Sequence, residues 1–161
     1  MVTALAITMT VCMADPAHLY QQDRLETVRL ETSALLKRTG ASVTWDCASL
    51  QKADAVVIMT EKPGRRDALA ETPKTRQGGV MPIWIHVATV WDAIPMRSQQ
   101  DAAVARLIVH ELVHAVDPSA QHAFGLFSAR LDAELLTRPL SDGDLEAIAS
   151  AWRKIRQRLA H

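Results

Sequence analysis

An excess of charge of either sign is missing from this sequence: 18 lysines and arginines stand against 18 aspartates and glutamates. That speaks against a nucleic acid or an anionic membrane held by a general electrostatic field. No apolar run reaches the length needed to cross a bilayer. The apolar opening stretch, Met1 to Ala14, has no basic segment ahead of it and so lacks the usual build of a secretory signal. Cysteine is down to Cys12 and Cys47, whose spacing fits no zinc-binding pattern. There is no internal repeat, no glycine-rich phosphate loop and no Gly-x-Ser-x-Gly elbow. Tyrosine occurs once, at Tyr20, and methionine not at all after Met96. What remains is a chain of 161 residues, 48% hydrophobic, too apolar for disorder and long enough for one domain, 1–161, with its own core.

Chemistry is concentrated in His110-Glu111-Leu112-Val113-His114. On a helix, residues four apart share a face, which sets the two imidazoles side by side at a separation one metal ion can bridge. Glu111 projects at an angle to that pair, placed to act as a general base on a water beside the metal. The helical context is present: Val104, Leu107, Ile108, Leu112 and Ala115 recur at helical spacing. Ser98 reads as the N-cap with Asp101 completing a capping-box-like pair, and Pro118 ends the helix near Val116.

A catalytic zinc needs a third protein ligand and an open position. Asp117, His122, Asp132 and Glu134 are the candidates. Asp117-Pro118-Ser119 reads as a turn that reverses the chain, so His122 is favoured. Glu134, on a possible following helix, is the alternative.

The run from His110 through His122 to Phe127 resembles the metzincin-like side of the zincins, in particular small bacterial zinc metallopeptidases of that kind. The resemblance implies a Zn2+ ion held by His110, His114 and His122, Glu111 as the catalytic base, a peptide or protein substrate, and a secreted or periplasmic location. Two departures stand out. Metzincin spacing would put glycine at position 117 and histidine at position 120, where this chain has Asp117 and Ala120. Phe127 occupies the position of the Met-turn methionine.

The remaining elements follow in order. Leu5, Ile7, Met9 and Val11 alternate as a first strand. Asp15-Pro16 reads as a helix start, a stripe from Leu19 to Leu36 as the helix, and Gly40 as its C-terminal cap. Val43, Trp45 and Cys47 alternate as a second strand; Cys12 and Cys47 then fall near the ends of parallel neighbours, either disulfide-bonded or as buried thiols. Ala55 to Met59 reads as a strand buried on both faces. Glu61 to Gly79 is a basic loop, longer than a connection needs; a solvated loop is favoured over a substrate contact. Val80 to Val87 reads as a fourth strand, placed at an edge by Pro82 and open to an extended peptide. Trp84 either flanks a pocket or covers the sheet, and His86 reads as a surface histidine. Trp91 to Pro95 is a connector, Ala129 to Leu136 a short helix, and Ser141 caps a last helix that covers the core.

The fold expected is α+β: a small twisted mixed sheet of about four strands, a backing helix, the metal-site helix and a C-terminal helix. The activity expected is zinc-dependent peptide hydrolysis by a monomer, with no nucleic acid or membrane partner. The alternatives are an inactive zinc-binding protein and a zinc hydrolase of small-molecule amides.

Overall fold

A computed structural model describes residues 6–75 and 79–161. The alternation near the start becomes β1, Ile7–Ala14, with Met9, Val11 and Met13 turned into the core. The portion of that strand expected at residues 1–5 lies outside the described residues. Helix α1 begins only at Gln22 and runs to Thr39. Asp15 does cap backbone amides, but those of a turn: its carboxylate accepts from Leu19 N (3.0 Å) and Tyr20 N (2.8 Å) before the helix starts. Gly40 closes α1 as expected, at φ 91°, a left-handed conformation that glycine adopts without steric cost.

Strands β2 (Ala41–Trp45) and β3 (Ala55–Thr60) flank β1, and both run parallel to it. Cys47 lies just past β2 and is disulfide-bonded to Cys12, with a Cα–Cα distance of 4.6 Å. The bridge spans a sequence separation of 35 residues. Closing a loop of that size in the unfolded chain stabilises the fold by roughly 3–4 kcal/mol on the chain-entropy account.

The fourth strand in space, β5 (Met81–His86), is not the edge. The sheet has five strands in the order β2-β1-β3-β5-β4, where β4 is Ala70–Glu71, antiparallel to β5 and supplied by the basic loop. Two residues carry no periodicity, so nothing in the sequence announces β4. Pro82 is tolerated inside the sheet because of which way its missing N–H would point. Met81 N donates towards β3, to Asp54 O, while His86 N donates the opposite way, to Leu69 O. Alternate amides serve opposite neighbours, and Pro82 falls on the β4 side, beyond the reach of β4's two residues.

The core lies on one face of this sheet. Ala55, Val57 and Met59 are buried there, as are Met81, Ile83 and Ile85, while Val56, Ile58 and Thr60 are only half-buried. Strand β3 is therefore covered on one face, not two. The strand expected to reach Val87 stops at His86, and the expected connector is a helix, α2 (Val87–Ala93), ended by Ile94-Pro95.

Helix α3 (Arg97–Val116) packs along α1. Ser98 does not cap it; Met96 holds the N-cap position without a side-chain bond. Asp101 is taken instead by Arg24 of α1, in a bidentate pair whose shortest contact is 2.6 Å. The expected short helix is reduced to α4, Ala133–Thr137, with Asp132 as its cap. Helix α5, Asp142–Leu159, has the expected Ser141 cap, reinforced by a reciprocal bond from Ser141 N to Asp144. Its Trp152 is fully buried.

Candidate metal centre

The last turns of α3 are almost wholly buried, and His110 and Glu111 go in with them at 5% and 8% exposure. His114 sits one turn later, and its ring centroid is 5.2 Å from that of His110. The helix stops at Asp117, whose amide still donates to Val113 O before Pro118 breaks the repeat. Asp117 then organises the reversal. Its carboxylate accepts from the Ser119 amide (3.1 Å) and hydroxyl (2.6 Å) and pairs with Arg158 of α5. Those contacts occupy both oxygens, so Asp117 is committed to the turn.

The reversed chain returns His122 to the helix. His114 and His122 bring their Nε2 atoms to 3.0 Å, and one ligand atom from each of His110, His114 and His122 lies within 4.8 Å of the others. Among the described residues this is the one group of three or more histidine, cysteine or carboxylate side chains so clustered. Glu134 and Asp132, the other candidates, stand outside it. His110 Nδ1 donates to Leu126 O (3.0 Å), which fixes the tautomer and leaves Nε2 with its lone pair. Beneath the trio lies the Phe127 ring, with centroids 5.3 Å from His110 and His114 and 5.6 Å from His122.

The donor set fits a metal. Burial, and then the neighbouring imidazoles, pushes His110 down to about 4; burial and His122 push His114 down to about 4; burial lowers His122. All three are thus neutral at pH 7, the form that ligates. Tetrahedral zinc with nitrogens at 2.0–2.1 Å holds them about 3.3 Å apart, so only small side-chain closure is required. His110, His114 and His122 would hold the ion, and all three line one cleft.

Glu111 is held differently. Burial raises its carboxyl to about 7, opposed by the nearby Thr72 hydroxyl and reinforced by the Glu71 carboxylate. Thr72 Oγ1 is buried near this carboxyl and is not committed to another hydrogen bond. Glu111 Oε1 is 4.0 Å from His110 Nε2.

These groups open into a cleft of about 730 Å³. One wall is Ala70, Glu71 and Thr72 of the β4 segment, and the other is Pro118, Ala120 and His122. Trp84 lines the cleft and is half-buried, so it flanks the pocket. His86 is a buried histidine, not a surface one: its ring bonds Glu71 Oε2 (2.9 Å) and Lys62 O (2.8 Å) and pins the loop that carries β4. Tyr20 lies apart from the cleft, against Trp91 at 5.7 Å.

Three supports went unread in the sequence: Thr72, the Leu126 carbonyl and Arg158. A backbone carbonyl leaves no trace in sequence, and Thr72 and Arg158 meet the site only through tertiary packing. Gly125 had a signal, since a glycine before a buried Leu-Phe pair marks a tight turn. Its φ is 56°, and a Cβ there would come within 2.7 Å of Asp144 Cα. Helix α5 thus does more than cover the core: Arg158 ties it to the Asp117 turn that precedes His122, and Asp144 packs closely against Gly125.

Asp144 makes the start of α5 sensitive to acid. Arg138 first, and the Ser141 hydroxyl and amide next, hold its carboxyl at about 2 against an ordinary 3.8. A depressed carboxyl stabilises the fold above its unfolded value and loses that contribution as pH falls towards the folded value. Between pH 4 and 2 the fold is expected to lose on the order of 1–2 kcal/mol from this group, discounted because Arg138 is partly exposed. Denaturant titrations of the parent and of Asp144→Asn across that window check it: the variant starts less stable and shows a shallower decline.

The fold is a mixed sheet with the histidine-bearing helix packed against it and a cleft beside its antiparallel edge strand. Among solved structures, the chain is similar to the crystal structure of archaemetzincin from Methanopyrus kandleri, with a TM-score of 0.66 at 13% identity, over 96% of this chain and 97% of that one. At that identity the likeness is one of fold. No family model matches the chain, and no curated protein matches it in sequence.

Proposed function

We propose that this chain is a zinc-dependent peptidase. The observation that carries the reading is the convergence of three neutral imidazoles beside a buried carboxylate, at the floor of a cleft open along a sheet edge. His110, His114 and His122 would hold the ion. Bound zinc supplies Lewis-acid activation of water and of the scissile carbonyl. Glu111 takes the proton from the attacking water and returns it to the leaving amine; a carboxyl raised to about 7 exchanges protons near neutral pH. Phe127 packs against all three imidazoles, and Leu126 O holds that of His110. An extended peptide is accommodated along β4, the actual edge, in place of the Val80–Val87 strand that sequence suggested.

A purely structural zinc would be closed by four protein ligands, and the trio offers three. The Cys12–Cys47 bridge supports an oxidising compartment, secreted or periplasmic. Elemental analysis of the purified protein should find one zinc per chain. A broad peptide-library digest should show cleavage that chelation abolishes and zinc restores. Stoichiometric zinc with no cleavage of any peptide would make it an inactive zinc-binding protein.

A further inference from the structure

The basic loop at residues 61–79 was expected to be solvated, yet part of it forms the roof of the cleft. Arg65 and Lys74 both line the cleft, on the same wall as Glu71 and Thr72. The roof is built into a fixed shape. Arg66 and Asp67 hold left-handed backbone at φ 53° and 60°, which non-glycine residues keep only where the surroundings impose it. A Cβ on Gly64 would meet the Ala68 carbonyl at 2.0 Å and the His86 ring at 2.8 Å, so the chain is pressed tightly onto its pin.

The charges on these walls are unevenly matched. Glu71 is held by a hydrogen bond to the His86 ring. Among the described residues no carboxylate lies in ion-pair range of Arg65 or Lys74, and both are exposed. Ala120 also lines a second groove, which continues from the cleft along α5. There Arg158 is neutralised by Asp117 and Glu146 by Arg153, which leaves Lys154 as the unmatched charge. In a chain of zero net charge, Arg65, Lys74 and Lys154 are the wall cations without a carboxylate partner among the described residues.

The geometry points to acidic polypeptide segments as the substrate class, with side-chain carboxylates meeting Arg65 and Lys74 on the roof and Lys154 along the second groove. This rests on the peptidase reading for turnover, but binding tests it separately. The probe is a fluorescent ten-residue peptide in three versions, alike except that its flanking positions carry aspartate and glutamate, glutamine and asparagine, or lysine. Anisotropy with zinc-loaded Glu111→Gln protein should rank them acidic, neutral, basic. Each cation should be worth about two- to fivefold, declining as salt rises, as for exposed ion pairs.

Arg65→Glu and Lys74→Glu together should erase or invert the ranking. Arg38→Glu, the same kind of charge change on the exposed side of α1, should leave the ranking unchanged. Equal binding of the three peptides, or a ranking that Arg38→Glu disturbs as much as the roof variants do, overturns the proposal. Acid-selective binding by a parent that cleaves nothing would sustain it while overturning the peptidase reading. Cleavage by the parent without acid selectivity would do the reverse.

Discussion

Glu111→Gln is expected to lower peptide hydrolysis on the order of 10²–10⁴-fold, the usual loss when a general base is removed. The amide keeps the size of the carboxylate and can still meet Thr72, but it cannot accept the proton of the attacking water. Zinc content should not change, because the cluster of donors is made by three histidines without Glu111. Stability separates a chemical loss from a folding defect. Burial is what raises this carboxyl to about 7, so folding the ionised form above that pH carries a desolvation cost. The neutral amide avoids that cost, and the variant should unfold at the same temperature as the parent or a higher one at pH 8. Steady-state kinetics, elemental analysis and a thermal melt decide together. A variant as fast as the parent would remove Glu111 from the mechanism.

His122→Ala is expected to lose most of the zinc on dialysis, since two imidazoles on one helix are too few for a tight catalytic site. His122 is the exposed member of the trio, held near His114 by the Asp117 turn and its tie to Arg158. Asp117→Ala should therefore weaken zinc binding less than His122→Ala, by loosening the turn without removing a donor. Glu134→Ala should retain full zinc; its loss there, with retention in His122→Ala, would transfer the third ligand to α4. Acid should release the ion in a set direction. Protons compete only as the imidazoles charge, and burial has brought His110 and His114 down to about 4. Zinc should thus be held through pH 6 and be lost nearer 4 than 6.5.

How far the sequence could be read follows from where the information lies. The pairing of His110 with His114 is a property of helical geometry, legible as soon as the apolar spacing places the segment on a helix. The return of His122 followed from Asp117-Pro118-Ser119, turn chemistry local enough to read. The caps at Gly40 and Ser141 were legible for the same reason. Readings failed where a local signal had a tertiary competitor. Asp101 looked like part of a cap until Arg24 claimed it. Pro82 looked like an edge marker because sequence does not say which neighbour an amide would have served. His86 looked ordinary because Glu71 and Lys62, its partners, belong to a loop with no periodicity. The same loop hid β4, and with it the true edge beside the cleft.

Phe127 has a consequence for durability. A methionine in this position would place a thioether beneath the imidazoles, and peroxide converts a thioether to a polar sulfoxide. Here an aromatic hydrocarbon, 2% exposed, supports all three imidazoles, so the floor offers that chemistry nothing to attack. Met9, Met13, Met59 and Met81 are shut in the core, and Met96 is the exposed methionine among the described residues, at 59%. Met96 sits at the opposite end of α3 from the histidines, about 20 Å away at the rise of an α-helix. Oxidation of the exposed thioether would thus fall at a position where it costs the imidazole cluster nothing.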